Sequence, residues 1–201
     1  MELYLFITTQ LKIKVMKTEI KIKSLVFGLS LIAANYVTAQ TTQTTNDTIN
    51  NSQTSQMTTG TSNPEIEALK QKIAANANDT EALVGLATAY QNANDWTSAI
   101  ATWNKITTIL PDWAPAYYSI GYANQSAKNN AGAKTAYEQY ITKVKPAEVE
   151  ASKQNLAYAY FFIAFQDKDT DKEKAKQYIA KSLQYDGSNQ DALALSKSLM
   201  N

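Results

Sequence analysis

The stretch TEALVGLATAYQNANDWTSAIATWNKITTILP, residues 80–111, decides the fold of this chain. Its first half carries apolar side chains at intervals of three and four residues, the spacing of one helical face. These side chains are Leu83, Leu86, Ala87 and Tyr90. Its second half carries a similar set, which is Ala99, Trp103 and Ile106. Pro111 ends the second half, because proline cannot continue a helix. The stretch therefore predicts two short amphipathic helices that need neighbours to bury their apolar faces.

The same pattern returns further along the chain, with every member shifted by the same interval. Its members are Tyr117, Ile120, Gly121, Ala133, Tyr137 and Tyr140. Both units keep a small residue at two fixed positions, Ala87 or Gly121 and Ala99 or Ala133, which lets the two helices of a hairpin approach closely. A proline again closes the unit, at Pro146. A period of about 34 residues predicts tandem helical hairpins.

These positions resemble the tetratricopeptide repeat, a family of paired helices. The first unit matches the family pattern closely, with Ile106 where alanine is usual. The second unit departs from it at Asn124, where an aromatic side chain is expected, and at Tyr140, where a small one is expected. The resemblance implies an all-α fold in which antiparallel helical hairpins stack as a short, right-handed solenoid.

The resemblance also implies which residues form the core of the repeats and which face a ligand. The repeat core is Leu83, Leu86, Ala87, Tyr90, Ala99, Trp103, Tyr117, Ile120, Gly121, Ala133 and Tyr137. The ligand-facing residues of the concave surface are Val84, Thr88, Gln91, Tyr118, Tyr122 and Gln125. Two tyrosines and two glutamines suit an extended peptide, because they offer aromatic area and amide hydrogen bonds. An alternative is that these side chains are simply exposed, or are covered by the terminal helices.

One known activity of the family is not expected here. Repeats that bind the C-terminal carboxylate of chaperones use lysine and asparagine at two positions of the first helix. Val84 and Thr88 occupy those two positions in this chain.

The folded region is predicted to begin at Asn63, with Pro64 at the first helical position. Further helix starts are predicted from capping side chains at Asn78, Asp95 and Asp112. The predicted segments are a cap helix over 63–76, a repeat over 80–113, a repeat over 114–147, an irregular repeat over 148–187 and a C-terminal cap helix over 189–200.

The third unit is irregular, because Ala175 lies further beyond Ala133 than one period allows. We expect the extra length before Ala175, in an extended first helix of about five turns within residues 147–166. Its register stays open, since either Phe162-Ile163 or Ile163-Ala164 could take the central position. The aromatic side chains between 158 and 165 favour core packing, with a partner or self-association surface as the alternative.

Residues 1–39 read as a secretory signal peptide. Lysines precede an apolar run from Leu25 to Val37, and small residues follow, which predicts cleavage after Ala39. Met16 is an alternative start of translation, and an uncleaved N-terminal anchor is the alternative to cleavage. Residues 40–62 are rich in Thr, Asn, Gln and Ser, which predicts a disordered linker. We therefore expect an exported protein, in the periplasm or outside the cell, without a membrane span after cleavage.

The composition removes much chemistry. The 201 residues include no cysteine, no histidine and no arginine, and the formal net charge is +1. Zinc sites, Ser-His-Asp triads and arginine forks for phosphate are therefore excluded, and no basic footprint for nucleic acid is present. The acidic stretch from Asp167 to Glu173 is not a calcium loop, because Lys172 stands where such a loop needs glycine. We expect no catalytic residue, metal or cofactor.

The sequence thus leaves two function classes open. The first is a non-catalytic scaffold that holds a protein or peptide of unknown identity. The second is a structural, self-associating subunit of a cell-envelope assembly, which would form a homodimer or larger species without a ligand.

Overall fold

The structure is a computed structural model that describes residues 63–200. The chain divides into two compact units, Met1–Glu67 and Ala68–Asn201. The predicted signal peptide, the alternative start at Met16 and the predicted linker all lie outside the described residues. Of Met1–Glu67, the described part is the opening turn of a helix that begins at Pro64. Asn63 caps it as predicted, since its Oδ1 accepts a hydrogen bond from the Glu65 amide at 3.0 Å.

The described part of the chain is all-helical, with no strand between residues 63 and 200. The helices are α1 (Pro64–Ala75), α2 (Thr80–Asn92), α3 (Trp96–Ile109), α4 (Ala114–Ser126), α5 (Asn130–Lys143), α6 (Lys153–Asp167), α7 (Lys172–Tyr185) and α8 (Gln190–Met200). A short 3₁₀ turn, Pro146–Glu148, lies between α5 and α6. The predicted all-α fold is confirmed.

Two of the predicted caps need correction. The cap of α2 is Asp79 and not Asn78, because Asp79 Oδ1 accepts a hydrogen bond from the Ala82 amide at 3.0 Å. The residue at the start of α4 is Trp113, which makes no capping hydrogen bond. Asp112 forms an ion pair with Lys143 Nζ at 2.9 Å. The prediction for Asp95 is confirmed, since it caps α3.

From α2 onward, each helix packs against the next one in the chain. One buried cluster joins α4, α5 and α6, and its members are Ala114, Ala133, Tyr137, Tyr140, Leu156, Ala159, Phe162 and Ile163. A second cluster joins α6, α7 and α8, and its members are Ala164, Ala175, Ile179, Ala192, Leu195 and Leu199. Burial of these apolar side chains stabilises the stack, because no hairpin can bury its own faces alone.

Most of the predicted repeat core is buried. Tyr90 and Tyr117 are half-buried, and the Tyr117 hydroxyl donates a hydrogen bond to the Pro111 carbonyl oxygen at 2.9 Å. The buried members are Leu83, Leu86, Ala87, Ala99, Trp103, Ile120, Gly121, Ala133 and Tyr137.

Gly121 explains why a small residue is needed at its position. A Cβ atom built on Gly121 would lie 2.6 Å from the Cε1 atom of the Tyr137 ring. The Tyr137 side chain is fully buried, so it has little space into which it could retreat. The absence of a side chain on α4 therefore lets the Tyr137 ring of α5 lie against its backbone.

Local hydrogen bonds explain why Asn124 is found where an aromatic side chain was expected. Its Nδ2 donates a hydrogen bond to the Ile120 carbonyl oxygen at 2.9 Å, and its Oδ1 accepts one from Asn129 Nδ2 at 2.8 Å. Asn129 in turn caps α5. The buried amide of Asn124 is thus satisfied, and it ties the end of α4 to the start of α5.

The third unit differs from the first two mainly in its connections. Nine residues, 144–152, join α5 to α6, whereas four residues, 110–113, join α3 to α4. Helix α6 has 15 residues and α4 has 13. The prediction of an extended first helix of about five turns is therefore wrong, because most of the extra length lies before the helix.

The register of α6 follows from its burial. Ile163 and Ala164 are both 0 % exposed, and Ala164 shares a cluster with Ala175 of α7. This pair therefore takes the central position, in which Leu86-Ala87 lies in the first unit. The interval from Ala164 to Ala175 is one residue shorter than the interval from Ala87 to Ala99.

Helix α8 packs against α7 through Ala192, Leu195 and Leu199. Ser196 of the same helix is also buried, at 9 % exposure. Leu193 and Met200 are 41 % and 77 % exposed.

Candidate functional site

The predicted ligand-facing residues of the first unit are largely buried. Val84 is 1 % exposed and Gln91 is 9 % exposed. Thr88 is half-buried, and its Oγ1 is buried without a hydrogen-bond partner. As it stands, Val84 offers no surface to a ligand. The concave role of these three residues remains a prediction.

The side chains of both predicted glutamines form hydrogen bonds within the protein. Gln91 Oε1 accepts a hydrogen bond from the Trp103 indole nitrogen at 2.8 Å. Gln125 Oε1 accepts one from the Tyr137 hydroxyl at 3.2 Å. Gln125 also exchanges hydrogen bonds with the Tyr158 hydroxyl, at 2.6 Å through its Nε2 and at 2.9 Å through its Oε1. The amide of Gln125 is therefore occupied within the protein.

Tyr118 packs into the second unit. Its ring centroid lies 5.4 Å from that of Tyr137 and 5.1 Å from that of Tyr140, both in edge-to-face geometry. Burial raises the pKa of the Tyr118 hydroxyl far above its ordinary value, and the neighbouring Tyr158, Tyr140 and Tyr122 add to the effect. Tyr118 is thus a neutral, half-buried side chain that supports its neighbours.

Tyr122 is half-buried and lies further along the same face of α4. Its ring packs edge-on against Trp96 of α3, with 6.1 Å between the centroids. This contact fixes the orientation of the ring while part of it stays accessible.

The third unit continues this face with aromatic side chains. The Tyr158 and Phe161 rings lie 6.5 Å apart, and the Phe161 and Phe165 rings lie 6.2 Å apart. Phe165 is 47 % exposed, and Lys168 Nζ lies 5.1 Å from its ring centroid. Lys168 also pairs with Asp169. We name Tyr118, Tyr122, Tyr158, Phe161 and Phe165 the aromatic strip.

The predicted site omitted the part of the strip that lies on α6. With Ile163-Ala164 at the centre, Phe161 and Phe165 take the positions that Tyr118 and Tyr122 hold on α4. The signal was present in the sequence, because the prediction singled out the aromatic residues of 158–165. It could not be used while the register of α6 was open.

The strip offers aromatic and apolar contacts rather than acid–base chemistry. Its side chains are phenol and phenyl rings, and burial raises the pKa of the Tyr158 hydroxyl although its hydrogen bond to Gln125 opposes the shift. Within residues 63–200, no group of three or more Asp and Glu side chains is placed so that it could hold a metal ion. In the same range, no helix has the length and apolar character needed to cross a bilayer.

Comparisons with known proteins agree with this geometry. Residues 81–112 and 115–144 match the tetratricopeptide repeat family. A structure of the C-terminal part of a TPR repeat-containing protein from Cytophaga hutchinsonii superposes with a TM-score of 0.58 at 23 % identity. It covers 65 % of this chain, and this chain spans only 52 % of that structure. No curated protein matches the chain in sequence.

Structures of MamA are also similar. The double mutant MamA RS-1 ArsTM gives a TM-score of 0.52 at 21 % identity and covers 67 % of this chain and 71 % of its own. MamA 41-end from Desulfovibrio magneticus RS-1 gives 0.50 at 19 % identity, with 67 % and 81 % covered. At these identities the likeness shows the fold alone. Residues 81–112 and 115–144 thus match tetratricopeptide repeats in sequence, and the described part of this chain resembles the helical solenoids built from such repeats.

Proposed function

We propose that this protein is a non-catalytic scaffold that binds a protein or peptide and is exported to the periplasm or the cell exterior. The observation that carries the proposal is the aromatic strip, which ends at Phe165, a residue that is 47 % exposed. Tetratricopeptide repeats are generally non-catalytic interaction modules, which agrees with a strip made of phenol and phenyl rings.

The strip suits an apolar side chain of a partner better than it suits the backbone of one. Gln125 is occupied by Tyr137 and Tyr158, so its amide is not free for a peptide backbone. Tyr122 and Phe165 retain accessible ring surface. Aromatic side chains at binding surfaces contribute large contact area at low entropic cost. Binding should therefore depend on these two rings more than on the two glutamines.

A peptide selection tests this proposal. The full chain is immobilised, peptides are selected from a displayed library, and the affinity of the selected peptide is measured by calorimetry. We expect Tyr122→Ser and Phe165→Ser each to weaken binding by about tenfold or more, as for residues at the centre of an interface.

Leu193→Ser is the matched control, because Leu193 is also an exposed apolar residue, 41 % exposed, but lies on α8 outside the strip. Its affinity should stay within about twofold of the wild type. If all three variants bind the peptide equally well, the strip is not the binding face.

Export is part of the same proposal. It is supported by the lysines, apolar run and small residues that precede Gln40 in the sequence. Cell fractionation followed by N-terminal sequencing tests it. The expected mature protein begins at Gln40, and full-length protein found in the cytoplasm would contradict export.

The alternative is a structural, self-associating subunit. It is favoured by the apolar side chains that α8 exposes, Leu193 and Met200. Light scattering after size exclusion distinguishes the two functions. A monomer agrees with the binding scaffold, whereas a stable dimer that Leu193→Ser dissociates would favour self-association.

A further inference from the structure

Helices α1 and α8 take different places in the order of the hairpins. Four residues, 76–79, join α1 to α2, and four residues, 110–113, join the second helix of the first hairpin to the first helix of the next. The turns inside the first two hairpins, 93–95 and 127–129, are one residue shorter. Helix α1 therefore corresponds to the second helix of a hairpin. Helix α8 follows α7 after residues 186–189, so it corresponds to a first helix.

A pair of small, buried residues marks the point where the two helices of each hairpin approach each other. The pairs are Ala87 with Ala99, Gly121 with Ala133, and Ala164 with Ala175. The last pair lies in one buried cluster. Small side chains at these two positions allow the helices to pack closely.

The corresponding positions of α1 and α8 carry opposite charges. Lys197 lies as far beyond the first residue of α8 as Ala87 lies beyond the first residue of α2. Glu65 of α1 lies as far before the first residue of α2 as Ala99 lies before the first residue of α4. Both charged residues are exposed. The helix face that is closed by a small residue inside a hairpin thus presents a lysine on α8 and a glutamate on α1.

Apolar side chains accompany both charges. On α8, Leu193 and Met200 lie within about one turn of Lys197 and are 41 % and 77 % exposed. On α1, Leu69 lies about one turn after Glu65 and is half-buried. We name Leu193, Lys197 and Met200 the α8 face, and Glu65 and Leu69 the α1 face.

The partial exposure of Leu69 also indicates a missing neighbour. It corresponds to Trp103 in α3, which is 0 % exposed. Helix α2 covers one side of Leu69, since a Cβ atom built on Gly85 would lie 3.0 Å from its Cδ2. A first helix packed against the α1 face would complete the burial, as α2 does for Trp103.

We propose that the α8 face of one copy of this chain packs antiparallel against the α1 face of a second copy, so that the two helices form a hairpin. Lys197 then pairs with Glu65 of the second copy, and Leu193 lies against Leu69 of that copy. Charge selects this occupant, because pairing of two α8 helices would bring two lysines into one interface, whereas α8 and α1 bring a lysine and a glutamate.

The contact joins two different surfaces, so each copy can bind one neighbour at α1 and another at α8, and chains of copies can grow. It is weak, since one helix pair buries less than the about 1,200–2,000 Å² of a stable interface. The protein is therefore a monomer in dilute solution and associates as its concentration rises. The contact does not use the aromatic strip, so it stands or falls independently of peptide binding.

Sedimentation velocity of the full chain at increasing concentration tests this contact. The sedimentation coefficient of the wild type should rise with concentration. Lys197→Glu and Glu65→Lys should each weaken the association by about tenfold or more, because each places two like charges at the junction. Lys105→Glu is the matched control, since it makes the same charge reversal at an exposed position of α3 and should leave the association unchanged.

An equimolar mixture of the Lys197→Glu and Glu65→Lys proteins makes the test specific. Every junction between the two variants again joins a lysine and a glutamate, so association should return to the wild-type level. Loss of folding in either variant would not be repaired by mixing. A mixture that associates no better than its components would overturn the proposal, as would a wild type that stays monomeric at every concentration. An effect of Lys197→Glu without any effect of Glu65→Lys would also overturn it, in favour of α8–α8 pairing.

Discussion

Gln91 Oε1 accepts a hydrogen bond from the Trp103 indole nitrogen at 2.8 Å, and both side chains are buried. The relationship recurs at the equivalent positions of the second unit, where Gln125 Oε1 accepts a hydrogen bond from the Tyr137 hydroxyl at 3.2 Å. In both of these units, a glutamine of the first helix thus satisfies the polar atom of a large aromatic side chain in the second helix. The aromatic residue can be buried because its polar end has this partner.

Gln91→Met should destabilise the protein by about 1–3 kcal/mol, because it leaves the buried Trp103 N–H without an acceptor at nearly unchanged side-chain size. Urea unfolding followed by tryptophan fluorescence measures the change. Gln139→Met, at an exposed position of α5, is the control and should change stability by less than about 0.5 kcal/mol. Equal stabilities of the two variants would show that the indole hydrogen bond contributes little.

Gly121→Ala should destabilise by about 1–3 kcal/mol, because its Cβ would lie 2.6 Å from the Tyr137 ring in a closely packed core. Gly85→Ala is the matched control in α2. There the new Cβ would meet the flexible end of Leu69 at 3.0 Å, and alanine favours a helix by about 1 kcal/mol over glycine. We expect chemical denaturation to show that Gly121→Ala is less stable than Gly85→Ala. A Gly121→Ala protein as stable as Gly85→Ala would contradict the close approach.

Lys128→Asn should stabilise the protein by about 0.5–1 kcal/mol, because Lys128 has a φ of 60° and asparagine tolerates this left-handed conformation better than lysine. The first unit already has asparagine at this turn, since Asn94 has a φ of 57°. Thermal unfolding of Lys128→Asn and of the reverse change, Asn94→Lys, measures the effect. Shifts of the same sign in both variants would refute the conformational explanation.

The stability of the protein should fall between pH 10 and pH 12. Burial raises the pKa of Tyr140 to about 12, although the nearby Ser152 and Asn155 offset part of the shift. The unfolded chain therefore releases this proton first, near pH 10. The stabilising effect is fully present below pH 10 and is lost as the pH rises through 12, which amounts to about 2 kcal/mol at pH 12.

Tyr140→Phe isolates this contribution, because it removes the titrating hydroxyl and keeps the ring. Urea unfolding at pH 8, 10 and 12 should show a shallower loss of stability than in the wild type. The remaining loss is expected from Tyr118 and Tyr137, whose pKa values burial also raises. Identical pH profiles for wild type and variant would contradict the assignment to Tyr140.

The first two units could be predicted from the sequence because their pattern is local. The spacing of Leu83, Leu86 and Ala87 reports one helical face, and the return of that spacing in the second unit reports stacking. The position of Gly121 also predicted a close approach, although not that the Tyr137 ring would make it. Packing of this kind follows from residue size at fixed positions.

The third unit could not be placed because its spacing changes in two places. The extra residues before Lys153 leave the start of α6 undefined, and Ala164 and Ala175 are one residue closer than their counterparts. The turn after α6 also lacks the left-handed residue found at Asn94 and Lys128. A one-residue change rotates a helix by about 100° and moves different side chains to the inner face.

The accessible surface was harder to predict than the fold. Val84 and Gln91 hold positions that the resemblance assigns to a ligand, yet both are buried. Exposure depends on what packs above a residue, which a periodic pattern does not contain. Phe165 is the opposite case, an apolar residue that stays 47 % exposed. Nothing in the sequence indicates this exposure, because apolar side chains are expected in the core.

Site-specific photo-crosslinking in living cells tests the central claim, that the aromatic strip holds a partner. A photoreactive phenylalanine analogue replaces Tyr122 or Phe165 in the strip, and Lys105 on the exposed side of α3 as the control. The account predicts one discrete crosslinked species from both strip positions and none from Lys105. Crosslinks of equal yield from all three positions, or from Lys105 alone, would contradict it.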